Sequence, residues 1–198
     1  CDPLGRSRIL GACFAALTTT AALLALGTDA PTITGTLRRG LLHIINVRDA
    51  ASQDRATEVV DAFVRIAPTA AATIAMMTLT LNLWLAAKVT ATSGRLRRSW
   101  PDMKTTMLPP MTLVATTVAL ALCFTGGLSG ILAQIVTASL MMTYALVGFA
   151  VLHTITLAMK SRALWLSCVY AVVLVFLWPV IAMIGIGIAD AVFGFRHR

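Results

Sequence analysis

Charge is scarce in this sequence, and acidic charge scarcest of all. Only 12% of its 198 residues are charged, and Asp and Glu number 8 against 16 Lys and Arg. Soluble domains average about 25% charged residues, so there is too little polar surface here to coat a globule. Carboxylates are confined to loops and chain ends, apart from Asp190 near the close of the last apolar run. That distribution argues against a proton-driven transporter built on a mid-membrane carboxylate relay.

Metal-ligand spacing is also missing. His43, His153 and His197 lie in separate segments, no HExxH occurs, and Cys13, Cys123 and Cys168 sit inside apolar runs without CxxC spacing. These cysteines read as small hydrophobes, and no metal or cofactor is expected. There is no GxxxxGK[ST] phosphate loop, no internal repeat and no low-complexity tract. The net charge of +8 is not arranged as a basic stripe interleaved with aromatics, so nucleic acid is not an expected partner. Cys1 stands where a methionine would open a chain, which reads as a processed or truncated amino terminus.

What the sequence has is apolar length. Hydrophobic residues make up 58% and the mean hydropathy is +0.85. A helix needs roughly 20 apolar residues to cross about 30 Å of hydrocarbon. The expected fold is all-α: one membrane domain over 1–198, a polytopic transmembrane helix bundle with spans at about 9–27, 68–87, 109–125, 130–159 and 164–189. Residues 32–67 have Leu37, Leu41 and Ile45 on one helical face and Val59, Phe63 and Ile66 on another, which predicts two amphipathic interfacial helices. Asp61 and Arg65 are spaced to pair on the second of these. Pro68 suits the first turn of the second span, and Trp178-Pro179 should kink the fifth.

The basic residues fall in short connections. Placing Arg6 and Arg8, the 88–104 linker and Lys160/Arg162 on the cytoplasmic side alternates correctly through five spans and leaves only Arg196 and Arg198 outside. The amino terminus is thus expected in the cytoplasm, with the lipid bilayer as the principal partner. Within the linker, Arg95, Arg97, Arg98 and Trp100 are candidate contacts for lipid or a protein partner. Trp84, Trp100 and Trp165 fit an aromatic belt.

Gly127-Leu128-Ser129-Gly130 matches the GxSG string of rhomboid-type intramembrane serine proteases, which pair the serine with a histidine on another helix. Here His153 falls on the same predicted helix, roughly 35 Å from Ser129 at about 1.5 Å per residue, whereas nucleophile and base must lie about 3 Å apart. No catalytic residue is assigned. Ser129 reads instead as a helix amino-terminal cap.

Polar residues at membrane depth must face protein, water or ligand. Thr78 and Asn82 share a face of the second span; Gln134, Thr137, Met141, Tyr144 and Gly148 form a stripe on the fourth. Asn82, Trp84, Gln134, Tyr144 and His153 are therefore the candidate ligand-binding or interhelical polar residues, with Trp84 or Tyr144 as stacking walls. The alternative is hydrogen bonding between helices, typically about 0.6 kcal/mol per pair. Ala12, Ala16 and Thr20 form a small-residue face for close helix contact with a partner or a neighbouring span.

Asn82-Leu83-Trp84 with Lys88, Arg97-Arg98-Ser99-Trp100-Pro101-Asp102, Gly148 with His153, and the ending from Ala189-Asp190 to Phe195-Arg196-His197-Arg198 resemble the YybS-like bacterial integral membrane proteins. That is a domain-of-unknown-function family. The resemblance implies further spans ahead of Cys1 and a bacterial inner-membrane location. It also implies a core similar to the S components of energy-coupling-factor transporters, which bind a small solute and depend on separate ATPase and scaffold subunits. The leading expectation is thus a non-catalytic, solute-binding or transport-associated membrane subunit. A membrane scaffold presenting the basic linker to lipid or a partner comes second, and an intramembrane hydrolase a distant third.

Overall fold

The computed structural model describes residues 3–45, 50–94, 108–109 and 111–193. Among these residues the chain is helical and has no strand, so the all-α expectation holds. The helices are α1 (Pro3–Leu24), α2 (Ala30–Ile45), α3 (Ala50–Thr92), α4 (Met111–Leu122), α5 (Gly127–Ile155), α6 (Arg162–Phe176) and α7 (Pro179–Phe193). Short 3-10 turns at Cys123–Thr125 and Thr156–Ala158 prolong α4 and α5.

Local chemistry sets the breaks. Asp29 caps α2: the Thr32 amide donates to Asp29 Oδ2 at 3.2 Å and the Thr32 hydroxyl to Oδ1 at 2.7 Å. Gly126 and Gly127, both at positive φ, reverse the chain between α4 and α5. Leu177 takes a φ of 56° directly before Trp178-Pro179, where proline disfavours helix in the preceding residue.

Neighbouring residues fix the helix directions. Ala12 and Ala15 of α1 cluster with Met76 and Met142, and Leu23 with Ala72, Ile135 and Ala138. So α3 and α5 run parallel, and α1 runs against both. On α4, Thr112 meets Tyr144 and Cys123 meets Thr137, again antiparallel to α5. Close contacts of Tyr144 with Gly187 and of Gly148 with Met183 make α7 antiparallel as well. α5 is the axis of the bundle, packed against α1, α3, α4 and α7, while α6 buries no residue. Lys88, Lys160 and Arg162 therefore lie at one end of the bundle, and the Gly27 and Gly126 turns at the other.

Several expectations change. Among the described residues two helices, Ala56–Thr92 and Gly127–Ile155, are long and apolar enough to cross a membrane; the other apolar stretches are Ile9–Leu24 within the 22-residue α1, Met111–Thr125, Arg162–Phe176 and Pro179–Phe193. Of the five expected spans, those at about 68–87 and 130–159 fall on these two helices, and the other three fall on the shorter apolar stretches. The second span also has no separate start, because α3 runs through Pro68. A proline there only deprives the Val64 carbonyl of its usual donor, and neighbouring packing absorbs that loss. The fifth span is not kinked but split into α6 and α7.

In the 32–67 segment, the face that packs carries Ile33, Val60 and Val64, whereas Val59, Phe63 and Ile66 point outward. Asp61 does not pair with Arg65. It meets Arg38 of α2, with Nε 2.9 Å from Oδ1 and Nη2 3.3 Å from Oδ2, a forked geometry that ties α2 to α3. The buried small face of α1 is Ala12, Ala15 and Thr19 rather than Ala12, Ala16 and Thr20, and neighbouring helices of the same chain cover it.

Candidate functional site

Where α3, α5 and α7 diverge, they leave a cleft of about 300 Å³, with Thr69, Thr73, Gln134, Thr137 and Met141 among its lining residues, together with Cys123 and Ile184. Two of its three threonine hydroxyls are engaged locally. Thr73 donates to the Thr69 carbonyl at 2.9 Å, and Thr137 Oγ1 lies 3.5 Å from Cys123 Sγ, which itself donates to the Ala119 carbonyl at 3.3 Å. Such back-bonding lets threonine sit in an apolar helix at little cost. Gln134 has no such bond: its carboxamide, on the half-buried face of α5, is without a hydrogen-bond partner among the described residues. An amide in such a setting costs roughly 1–3 kcal/mol unless something bonds to it.

The other candidates do not converge on Gln134. Asn82 and Trp84 are exposed on α3, and Asn82 lies about 13 Å along the helix beyond Thr73. Trp84 is covered on one side by Lys88, whose ammonium lies 5.7 Å from the ring centroid. Tyr144 is fully buried at the α5–α7 crossing rather than forming a cleft wall. Its hydroxyl lies 2.9 Å from Thr112 Oγ1, and Thr112 already donates to the Pro109 carbonyl at 2.7 Å. The phenol is then the donor, and its role is to lock α4 onto α5.

His153 is half-buried near the carboxyl end of α5, with Nε2 2.8 Å from the Tyr170 hydroxyl. Tyr170 also stacks on Phe149, rings 9° from parallel and centroids 5.4 Å apart. These contacts hold α6 against α5. Arg95, Arg97, Arg98 and Trp100 lie outside the described residues.

Ser129 and His153 share one unbroken helix, α5, about 36 Å apart at about 1.5 Å per residue. Ser129 does not cap α5: Gly126 holds that position, and the Ser129 hydroxyl donates back to the Gly126 carbonyl at 3.1 Å. Among the described residues no three His, Cys, Asp or Glu side chains gather as a metal site would require.

Sequence periodicity found Gln134, Thr137 and Met141 on one stripe of α5 but missed Thr69 and Thr73 across the cleft. Thr69 and Thr73 belong to the register of α3 that faces α5, and that register follows from α3 and α5 being parallel, a tertiary fact. Comparison with known proteins gives no match: no family model, no curated protein and no solved structure matches this chain.

Proposed function

We propose that this chain is a multi-pass α-helical protein of a bacterial plasma membrane that binds a small solute in the α3–α5–α7 cleft and performs no chemistry on it. The membrane part rests on an inside-out distribution. The buried set includes Thr19, Thr112, Thr116, Thr137, Ser139 and Thr143, while Leu10, Phe14, Leu17, Val114, Val118, Leu174, Val175 and Phe176 face outward. In water that arrangement is unfavourable, because soluble monomers rarely expose contiguous apolar patches larger than a few hundred Å². In lipid it is favourable, because close helix contact there favours small and hydroxylated residues. The helix directions add to it: the basic positions Lys88, Lys160 and Arg162 share one end of the bundle, as cytoplasmic sidedness requires.

The observation that carries solute binding is the Gln134 carboxamide, without a partner among the described residues, in the lining of a largely apolar cleft. A ligand offering one complementary donor or acceptor on an apolar body would satisfy it, the usual composition of a small-molecule site. The resemblance to the YybS-like family supports the same role. In that reading, energy for any transport comes from separate ATPase and scaffold subunits.

The test is thermal unfolding of the detergent-purified protein against a panel of vitamins, nucleobases and other metabolites. A ligand at about 100 times its dissociation constant adds roughly 2.7 kcal/mol to stability. A stabilising compound whose effect disappears in Gln134→Leu supports the proposal. A panel with no response, from a protein that unfolds cooperatively, refutes it.

A further inference from the structure

At the opposite end of α5 from its glycine turn, the chain turns through Lys160-Ser161-Arg162 into α6. Lys160 is exposed, and Arg162 is half-buried with its Nε wholly enclosed and without a hydrogen-bond partner among the described residues. Neither cation meets a carboxylate among the described residues. Lys160 and Arg162 are two residues apart in this turn, so the corner gathers positive charge instead of neutralising it. Leu164 and Trp165 follow immediately, both more than half exposed.

Two unneutralised cations beside an exposed aromatic and aliphatic surface match an amphiphile with an anionic head and apolar tails. We propose that the α5–α6 corner binds the phosphate headgroup of an anionic phospholipid. Arg162 and Lys160 donate to the phosphate oxygens, and Leu164 and Trp165 lie along the acyl chains. The phosphate supplies the acceptors: the planar guanidinium offers its Nη donors to two phosphate oxygens at once, while the ammonium adds a point charge. The inference rests on the membrane reading above and is independent of the Gln134 cleft.

The experiment is native mass spectrometry of the full chain, delipidated in detergent and titrated with dioleoylphosphatidylglycerol or dioleoylphosphatidylcholine. Charge-assisted hydrogen bonds to two cations predict retention of the anionic lipid about tenfold above the zwitterionic one. Arg162→Ala with Lys160→Ala should bring the two lipids level, and Arg162→Lys should restore part of the preference. Equal retention of both lipids by the wild-type chain would overturn the proposal. So would displacement of the lipid by millimolar inorganic phosphate, which would make the corner a site for free anions. Should Arg162→Ala fail to fold, Lys160→Ala and the wild-type comparison decide the matter alone. Recovery of the chain in soluble form without detergent would overturn this proposal and the membrane reading together, whereas a detergent-requiring protein without lipid preference overturns only this one.

Discussion

Met183 of α7 presses its backbone carbonyl against the α-carbon of Gly148 on α5, and one turn away on each helix the Tyr144 carbonyl does the same to Gly187. A β-carbon at either glycine would fall on the opposing carbonyl, so these two positions set the distance between α5 and α7. Gly148→Ala and Gly187→Ala should each lower stability by about 1–3 kcal/mol or more, because backbone must move to admit the methyl. Gly185, on the same helix but facing open space, supplies the control: Gly185→Ala should be neutral or mildly stabilising through helix propensity. Thermal unfolding in detergent separates the three, and equal effects would show that the crossing is looser than described.

Gln134→Leu should leave the unliganded protein as stable as before or slightly more so, because it removes an amide that no protein group satisfies. Its effect should appear only as lost ligand stabilisation. Asn82→Leu, exposed and beyond the cleft, should leave ligand stabilisation intact. If Asn82→Leu abolishes binding while Gln134→Leu does not, the solute sits elsewhere on α3.

The Arg38–Asp61 fork is about half exposed on both sides, so solvent screening limits its worth. A double-mutant cycle with Arg38→Ala and Asp61→Ala should return a coupling of about 0.2–1 kcal/mol, smaller in high salt. Replacing Asp61 and Arg65 in the same way should return a coupling near zero. A larger value for the second pair would restore the within-helix pairing that sequence spacing alone implied.

Tyr170→Phe keeps the stack on Phe149 and removes only the hydroxyl contact with His153, so it should cost about 0.6 kcal/mol. Tyr170→Ala removes both and should cost several times as much. The contrast is readable in the same unfolding assay, and equal losses would mean that the stack contributes nothing.

Topology reporters give a direct check on sidedness. A fusion after Lys160 should report the cytoplasm, and one at Gly126 the opposite side of the membrane. The reverse assignment would invert the orientation drawn from the basic connections.

These tests fall along the line between what the sequence discloses and what it withholds. Apolar run length and glycine or proline punctuation were enough to place α1, α2, α4 and α5, because those signals are local. Three features escaped. The α3 helix continues through Pro68 because one missing hydrogen bond costs less than ending a packed helix. The α6–α7 break depends on Leu177 adopting a positive φ, which no composition rule encodes. The outward face of Val59, Phe63 and Ile66 is correct as an apolar periodicity, yet periodicity cannot say whether such a face meets protein or lipid. In the candidate site, Gln134 stood out as a carboxamide in an apolar run, whereas Thr69 and Thr73 became visible only with the parallel pairing of α3 and α5.

The 43 residues of α3 give a rod of about 65 Å, roughly twice the hydrocarbon thickness. Its far arm, from Ala50 to Pro68, is clamped to α2, and its near arm forms one wall of the cleft. Mechanically this is a lever whose weakest joint is the proline. A rotation of about 5° there carries the tip of an arm of about 27 Å through roughly 2 Å, enough to make or break a hydrogen bond. Force applied to α2 on one face of the bundle therefore reaches Thr69 and Thr73 through a single continuous helix.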